Sequence, residues 1–385
     1  MKILYTNFHQ RNGGGHVTYV VNLLKALAPE HDLTVATPGS SRLYRYAREV
    51  PGVEVVDLSY SSRLPRMVPE VLRLRRLLGD GRFDVVHVNA SADHRHVMLA
   101  CLGLRQRPKI VWTKHNDHPV RSLGHWLRAH LATDSVIAVS AYVERIVLQS
   151  PYARLPLRVI RHGVDTGYFS PPSAAQRRAW RHKTFGALAD DVFTLGSSGG
   201  TDEDKGWLDL VAAVASLPSH WRDRVRVVVA GDPPRGYRKD RVEELGMAGQ
   251  VVFPGLVDDV RPILGACDAG FVLSYREALS YACRETLSLG LPTLVSDAGG
   301  LPENVEDGVD GWIVPARDVP RIAKALVWML ENPAEISSMA LAAREKSVNE
   351  FNLDLFAERS LYVYRQALSR AKPADGGRGS GDQIK

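Results

Sequence analysis

Short apolar runs and helical patterns alternate along almost the whole of this chain, and the alternation is interrupted once, near the middle. Residues 2–6, 33–37, 53–57, 85–88, 110–113, 135–139 and 158–160 read as buried strands, with helical patterns such as 17–28 and 69–78 between them. Apolar strands separated by helices form a parallel sheet covered on both faces. The turn formers of His162-Gly163-Val164-Asp165 and Phe169-Ser170-Pro171-Pro172 then break the pattern. It restarts at 193–197, 225–230, 251–253, 269–273, 293–296 and 311–314. This predicts an α/β chain of two Rossmann-like, doubly wound parallel-sheet domains, residues 1–165 and 175–350. Ligands of such sheets bind at the carboxyl ends of the strands, here in a cleft between the two domains. A last helix over 353–369 carries Phe356, Leu361, Tyr362, Tyr364 and Leu368. Residues 371–385 have almost nothing to bury and read as a disordered tail.

The chain has 385 residues, 45% of them hydrophobic and 24% charged, enough for two buried cores and too apolar for disorder. Cys101, Cys267 and Cys283 are scattered with no CxxC, which argues for a reducing compartment and against a zinc site. No apolar run approaches the roughly 20 residues that span a bilayer, and the strand-like start, with no signal-peptide apolar region, leads to the expectation of no secretory leader. A cytoplasmic location is expected. The net charge of +6 suits an anionic membrane surface, a phosphorylated substrate or nucleic acid, and does not choose among them.

Asn12-Gly13-Gly14-Gly15-His16 stands between the first strand and the first helix. Glycines there let a ligand approach the backbone, and the helix N-terminus offers N–H groups to a phosphate. The loop is not a Walker A motif, because no Gly-Lys-Ser/Thr follows. It is a poor dinucleotide fingerprint as well, with Thr18 at the third glycine position and no acidic residue near Thr37. The second domain opens similarly, with Ser198-Gly199-Gly200-Thr201-Asp202-Glu203-Asp204-Lys205-Gly206 leading into a helix. A lysine beside the positive end of a helix dipole is unfavourable unless an anion offsets it, so Lys205 is a phosphate-binding candidate. Asp202 and Asp204 have a spacing that can hold a divalent metal, but capping of the helix is the favoured reading, and no metal site is expected.

The longest motif is Ser274-Tyr275-Arg276-Glu277-Ala278-Leu279-Ser280-Tyr281-Ala282-Cys283-Arg284-Glu285, followed by Gly290-Leu291-Pro292 and Gly299-Gly300-Leu301-Pro302-Glu303. A helix opening near Leu279 points the N–H groups of Leu279, Ser280 and Tyr281 at the cleft, ready for a diphosphate. Glu277 before that helix and Glu285 two turns along it are natural acceptors for sugar hydroxyls, although spacing alone equally fits two surface glutamates. His115 follows a strand's carboxyl end, where it faces either the cleft or solvent. His94 and His96 lack a third ligand at metal spacing. The arginines and leucines of residues 63–78 fit an anionic membrane surface, or an ordinary amphipathic helix, the reading slightly favoured.

Together these motifs resemble the family 4 retaining glycosyltransferases of the GT-B fold, over almost the whole chain. Glu277 to Glu285 with the following Gly-Leu-Pro and Gly-Gly-Leu-Pro-Glu runs looks like the family's most specific signature. Arg161-His162-Gly163-Val164-Asp165 looks like its interdomain linker, and residues 135–140 like its Ala-Val-Ser strand. The resemblance implies a hexosyl-type, metal-independent transfer from a UDP- or GDP-linked sugar to a cell-envelope glycan or glycolipid, of the lipopolysaccharide type. It implies no obligatory cofactor besides that co-substrate and no nucleic-acid partner, on the cytoplasmic side, with a peripheral membrane contact as an option. Lys205, Glu277 and His115 would serve the chemistry. Gly14, Gly15, Ser198, Gly199, Lys205, Glu277, Ala278, Leu279, Ser280 and Tyr281 would hold the donor. Glu285 would take the ribose, and Gly255, Leu256 and Val257 would border the base. The last helix would cross back onto the first domain. Gly199 replaces a usual arginine, with Arg276 as a substitute cation, and Ser280 replaces a usual glycine. A GT-B-fold nucleotide-sugar 2-epimerase and a non-catalytic nucleotide-sugar-binding module are the alternative readings.

Overall fold

The computed structural model describes residues 1–11, 14–186 and 191–370. The strands of the first half are β1 (Lys2–Thr6), β2 (Asp32–Thr37), β3 (Val53–Asp57), β4 (Val85–Val88), β5 (Lys109–Lys114), β6 (Ser135–Ala138) and β7 (Leu157–Val159). They form one parallel sheet in the order β3-β2-β1-β4-β5-β6-β7. Side chains alternate between its faces as the pleat requires. Leu4, Val86, Ile110 and Trp112 enter one core, and Ile3, Tyr5, Val85 and Val111 enter the other.

The second half carries β8 (Phe193–Ser197), β9 (Val225–Val229), β10 (Val251–Val252), β11 (Ala269–Val272), β12 (Thr293–Ser296) and β13 (Gly311–Val314). Their parallel order is β10-β9-β8-β11-β12-β13. In both sheets the chain starts at an inner strand, winds outward, and returns to the other side. The order therefore reverses between β1 and β4, and between β8 and β11. Such a reversal opens a crevice at the strands' carboxyl ends, where Gly14, Asn89, Ser198 and Ser274 stand.

The helix Leu353–Ser369 returns to the first sheet. Phe356 and Tyr364 join the core beneath Tyr5 and Val85. The Tyr364 hydroxyl lies 2.6 Å from His87 Nδ1 and 3.2 Å from the Tyr5 hydroxyl. The turn-rich segment between the sheets is pinned to this region. The Val164 amide donates to the Phe351 carbonyl at 2.7 Å, and a Cβ on Gly163 would meet Phe356. The segment expected to be a disordered tail, 371–385, lies outside the described residues.

Two local expectations are corrected. The basic helix runs over Leu64–Gly81, because Pro65 sits in its first turn, where a proline has no hydrogen bond to lose, and Pro69 is carried inside it. Asp202 makes no side-chain cap, and Gly206 is the residue before the helix Trp207–Ala215. A Cβ on Gly206, at φ +65°, would lie 2.0 Å from the Leu273 carbonyl, so only glycine passes between Lys205 and β11.

Candidate active site

A cavity of about 380 Å³ lies between the two sheets. Gly14, Gly15, His16, His115 and His162 face it from the first domain and the linker. Ser198, Gly199, Lys205, Ser274 and Glu277 to Ala282 face it from the second. These are the segments that leave the carboxyl ends of β1, β5, β8 and β11.

The helix on the second side is Tyr281–Ser288, two residues later than its sequence pattern indicates. Ser280 explains the shift. It sits at φ 91° as the cap, and its hydroxyl accepts from the Cys283 amide at 3.3 Å. The Tyr281 and Ala282 amides of its first turn have no partner inside the helix, and Leu279 and Ser280 stand just ahead of them on the same cavity wall. The two amides carry the positive end of the helix dipole toward the cavity.

Glu277 is held in place by the glycine pair after β12. The Gly300 amide donates to the Glu277 carbonyl at 3.0 Å. A Cβ on Gly299 would lie 2.0 Å from the Glu277 carbonyl oxygen, and one on Gly300 2.0 Å from that of Ala278. The glycines therefore form the seat on which the Glu277 loop rests. Burial raises the Glu277 carboxyl above its ordinary value, and Lys205, 3.7 Å away, pulls in the other direction.

Glu303, the last residue of the same motif, faces the first domain. Its carboxylate accepts from the Ala141 and Tyr142 amides at 2.9 and 2.8 Å and pairs with Arg161 at 2.8 Å. It caps the helix Ala141–Leu148 from across the domain boundary. Arg276, the substitute cation of the sequence reading, is committed elsewhere. Two of its nitrogens grip Asp117 of the first domain at 3.0 Å each.

His115 is buried, with Nε2 2.9 Å from Asn89 Oδ1. Burial first, and His16, His162, His87 and Lys114 after it, push its pKa well below the ordinary value, so the ring is neutral. His162 stacks on Tyr281 at 4.3 Å and 10°, joining linker and donor-side helix. Neither His16 nor His162 stands out as a site residue in the sequence. The glycine run before His16 and the linker motif around His162 were the available signals.

Four expected donor contacts lie off this cavity's wall. Glu285 is half-buried in the second turn of its helix, with its pKa pushed up to about 7 by desolvation. Gly255, Leu256 and Val257 stand further along the second domain. There the Gly231 amide donates to the Gly255 carbonyl at 3.0 Å, and a Cβ on Gly231 would meet Gly200. Leu256 is 73% exposed. Among the described residues no group of three His, Cys, Asp or Glu side chains is arranged to hold a metal ion.

Residues 13–168 match the family model described as Glycosyltransferase Family 4, and residues 178–346 match Glycosyl transferases group 1. The chain is 30% identical over 341 residues to D-inositol 3-phosphate glycosyltransferase of Mycolicibacterium paratuberculosis, covering 82% of this chain and 74% of that one. The chain belongs to glycosyltransferase family 4.

This glycosyltransferase is also 26% identical over 372 residues to a GDP-mannose-dependent alpha-(1-6)-phosphatidylinositol monomannoside mannosyltransferase of Mycolicibacterium smegmatis, covering 91% of this chain and 94% of that one. Its GT-B fold matches HepE of Anabaena, solved in complex with UDP, with a TM-score of 0.81 at 19% identity over 95% of this chain and 100% of that one. A glycosyltransferase from Rickettsia africae matches with a TM-score of 0.84 at 18% identity, over 96% and 99% of the two chains. As a member of the family, the glycosyltransferase transfers sugar from a nucleotide-diphosphate donor.

Proposed function

We propose that the enzyme moves a sugar, with retention at the anomeric carbon, from a UDP- or GDP-linked donor in the cleft to a hydroxyl of a cell-envelope glycan or glycolipid. The lipopolysaccharide type is included in that class. One cavity supports the reading, because it sets Lys205, Glu277 and the Tyr281 and Ala282 amides opposite Gly14, Gly15 and His115. Lys205 and the helix amides face the diphosphate and stabilise the charge that builds on it as it leaves. Glu277 accepts from the hydroxyls of the donor sugar. The acceptor oxygen bonds to the anomeric carbon as the bond to the diphosphate oxygen breaks. The electron pair leaves with the diphosphate, and the acceptor's proton passes to that departing oxygen. Neutral His115 contributes a hydrogen-bonding edge to the sugar, and Glu285 with Gly255 to Val257 takes the nucleoside end further along the second domain. One curated relative is named as a GDP-mannose-dependent phosphatidylinositol monomannoside mannosyltransferase, whose acceptor is a glycolipid, in keeping with this class.

A thermal-shift screen of UDP- and GDP-sugars tests the reading, since a bound ligand raises stability by mass action. At least one of them is expected to raise the Tm and to release free nucleotide when acceptor is supplied. No shift with any UDP- or GDP-sugar would count against it.

The helix Leu64–Gly81 is proposed to meet an anionic membrane surface. Leu64, Val68 and Leu72, spaced four apart on one face, are 67, 53 and 50% exposed, and Arg63, Arg66 and Arg76 stand exposed around them. Arg75 is not part of this patch, because its guanidinium donates to the Ala100 and Leu102 carbonyls. Among the described residues no helix is long and apolar enough to cross a membrane. Replacing Leu64, Val68 and Leu72 by serine should weaken co-sedimentation with phosphatidylglycerol vesicles. Undiminished binding would remove the patch from the proposal.

A further inference from the structure

A second cavity, of about 430 Å³, opens in the first domain and shares His16 and His115 with the donor cavity as a common wall. Its cationic groups come from three elements. Lys114 ends β5, Arg95 lies on the helix Ser91–Cys101, and Arg128 lies on the helix Leu123–Leu131. His9, His118 and His125 also line it, and no aspartate or glutamate does among the described residues.

These cations lack counter-ions. Lys114 and Arg128 are 4% and 7% exposed, and neither they nor Arg95 form an ion pair among the described residues. Arg128 Nε and Arg95 Nε have no hydrogen-bond partner. The Lys114 ammonium donates to the Asn116 side-chain oxygen. The carboxylate that acts on it, Asp117, is already held by Arg276. Asp93 does not line the cavity, and its carboxylate accepts from the Thr6 hydroxyl and the Asn89 amide. The group repels itself, since Arg128 lowers the pKa of Arg95 after burial does, and Arg128 and Lys114 do the same to His125. A buried cation is costly unless it is paired. Two buried cations, Lys114 and Arg128, with the half-buried Arg95, which donates to the Ser61 carbonyl at 3.3 Å, stand at one water-accessible cavity and mark a place built for an anion from outside the chain.

We propose that this cavity binds the phosphate of a phosphate-bearing acceptor, through Lys114, Arg95 and Arg128. It rests on the transferase reading of the neighbouring cavity, because a phosphate fixed here leaves the rest of the acceptor against the shared wall of His16 and His115. Planar guanidinium groups and an ammonium together match a phosphate's tetrahedral oxygens. The same chemistry is offered by a soluble phosphomonoester and by a phospholipid headgroup. The exposed Leu123 and Trp126, on the helix that carries Arg128, place apolar surface near that residue for the second source.

The test is a calorimetric titration of inorganic phosphate into the full chain, first alone and then saturated with UDP or GDP to occupy the donor site. The Lys114→Gln and Arg128→Gln variants are titrated in parallel. Phosphate is expected to bind the nucleotide-loaded wild type, with affinity reduced at least about tenfold in each variant and partly restored in Lys114→Arg. Retained nucleotide affinity shows that the variants fold. Nucleotide binding together with equal phosphate affinity in all forms, or none in the wild type, would overturn the inference and leave the transferase reading standing. Phosphate binding that depends on Lys114, in a chain that binds neither UDP nor GDP, would support the anion site and remove the donor reading. Co-sedimentation with phosphatidylglycerol but not phosphatidylcholine vesicles, lost in Lys114→Gln, would identify the lipid source. Vesicle binding indifferent to Lys114, with phosphate binding that depends on it, would identify the soluble one.

Discussion

Lys205 Nζ and a carboxylate oxygen of Glu277 stand 3.7 Å apart on the second-domain wall of the donor cavity, so the two groups proposed to grip different parts of the donor are each other's counter-ion in the free enzyme. A donor with a diphosphate at one end and hydroxyls at the other replaces that single contact with two. Removing Lys205 takes away one preorganised positive charge from the leaving diphosphate. Lys205→Ala is expected to lower kcat by roughly 10²–10³. It also releases the Glu277 carboxyl to rise further, because burial already raises it and Lys205 opposes that rise. Residual transfer by Lys205→Ala should therefore increase with pH as Glu277 ionises, an alkaline limb that Lys205→Ala/Glu277→Gln would lack. A rate profile over pH, with donor saturating, checks both.

Gly300→Ala should disable the site without touching a ligand. Its Cβ would lie 2.0 Å from the Ala278 carbonyl, so the Glu277 loop must move off its seat. Transfer should fall at least about a hundredfold, since a displacement of about 1 Å costs that much at a reacting centre. Gly249→Ala, where a Cβ meets nothing within 4 Å, is the control expected to match wild type. Steady-state rates and circular dichroism of both proteins decide it.

The two-domain α/β architecture was legible in the sequence because each strand is a short, largely apolar run set off from the helical patterns on either side. The glutamate, lysine and glycine motifs were legible because their spacing is local. The contacts across the cleft were not. Nothing in the sequence around Glu303 says that its carboxylate caps the helix Ala141–Leu148, and nothing near Arg276 shows that Asp117 will occupy it. Arg95, Lys114 and Arg128 likewise come together only because the order of β4 and β5 brings their loops side by side. Helix boundaries were also moved by single residues, as with Ser280 and Pro65, whose effects depend on backbone angle more than on apolar spacing.

Ser280 holds a backbone angle, φ 91°, that glycine adopts freely and serine does not. Its hydroxyl compensates by capping the helix Tyr281–Ser288. Ser280→Ala keeps the strain and loses the cap, and should destabilise the protein by about 1 kcal/mol. Ser280→Gly loses the cap and relieves the strain, so its Tm should equal or exceed that of wild type. Thermal unfolding of the three proteins separates the contributions. A Ser280→Gly variant less stable than Ser280→Ala would contradict the strain.

Buried neutral histidines should set the acid limit of the fold. His16, His87 and His94 are each pushed down to about 3, mainly by burial. His87 is locked beside Tyr5 and Tyr364 in the first domain, with Nε2 2.6 Å from the Thr113 hydroxyl and Nδ1 2.6 Å from that of Tyr364. In the unfolded chain each ring titrates near 6.5. A folded pKa below the unfolded one gives stability that is fully present above about 6.5 and is lost as pH falls toward about 3, because only the unfolded chain takes up the protons. At pH 5 the loss is about 2 kcal/mol for each histidine, or roughly 6 kcal/mol for the three, a large part of an ordinary domain's stability. Glu285 and Asp93, both raised to about 7, act in the opposite sense and offset roughly 5 kcal/mol of that loss at pH 5. His115 and His162, pushed well below the ordinary value mainly by burial, add to the loss and keep the balance on the side of destabilisation. Urea unfolding of wild type and Glu285→Gln at pH 7.5, 6 and 5 checks the balance, with lower stability expected at pH 5 than at pH 7.5 in both. Removing Glu285 removes a group that favours the folded state at low pH, so the variant should lose more stability between pH 7.5 and 5 than wild type does.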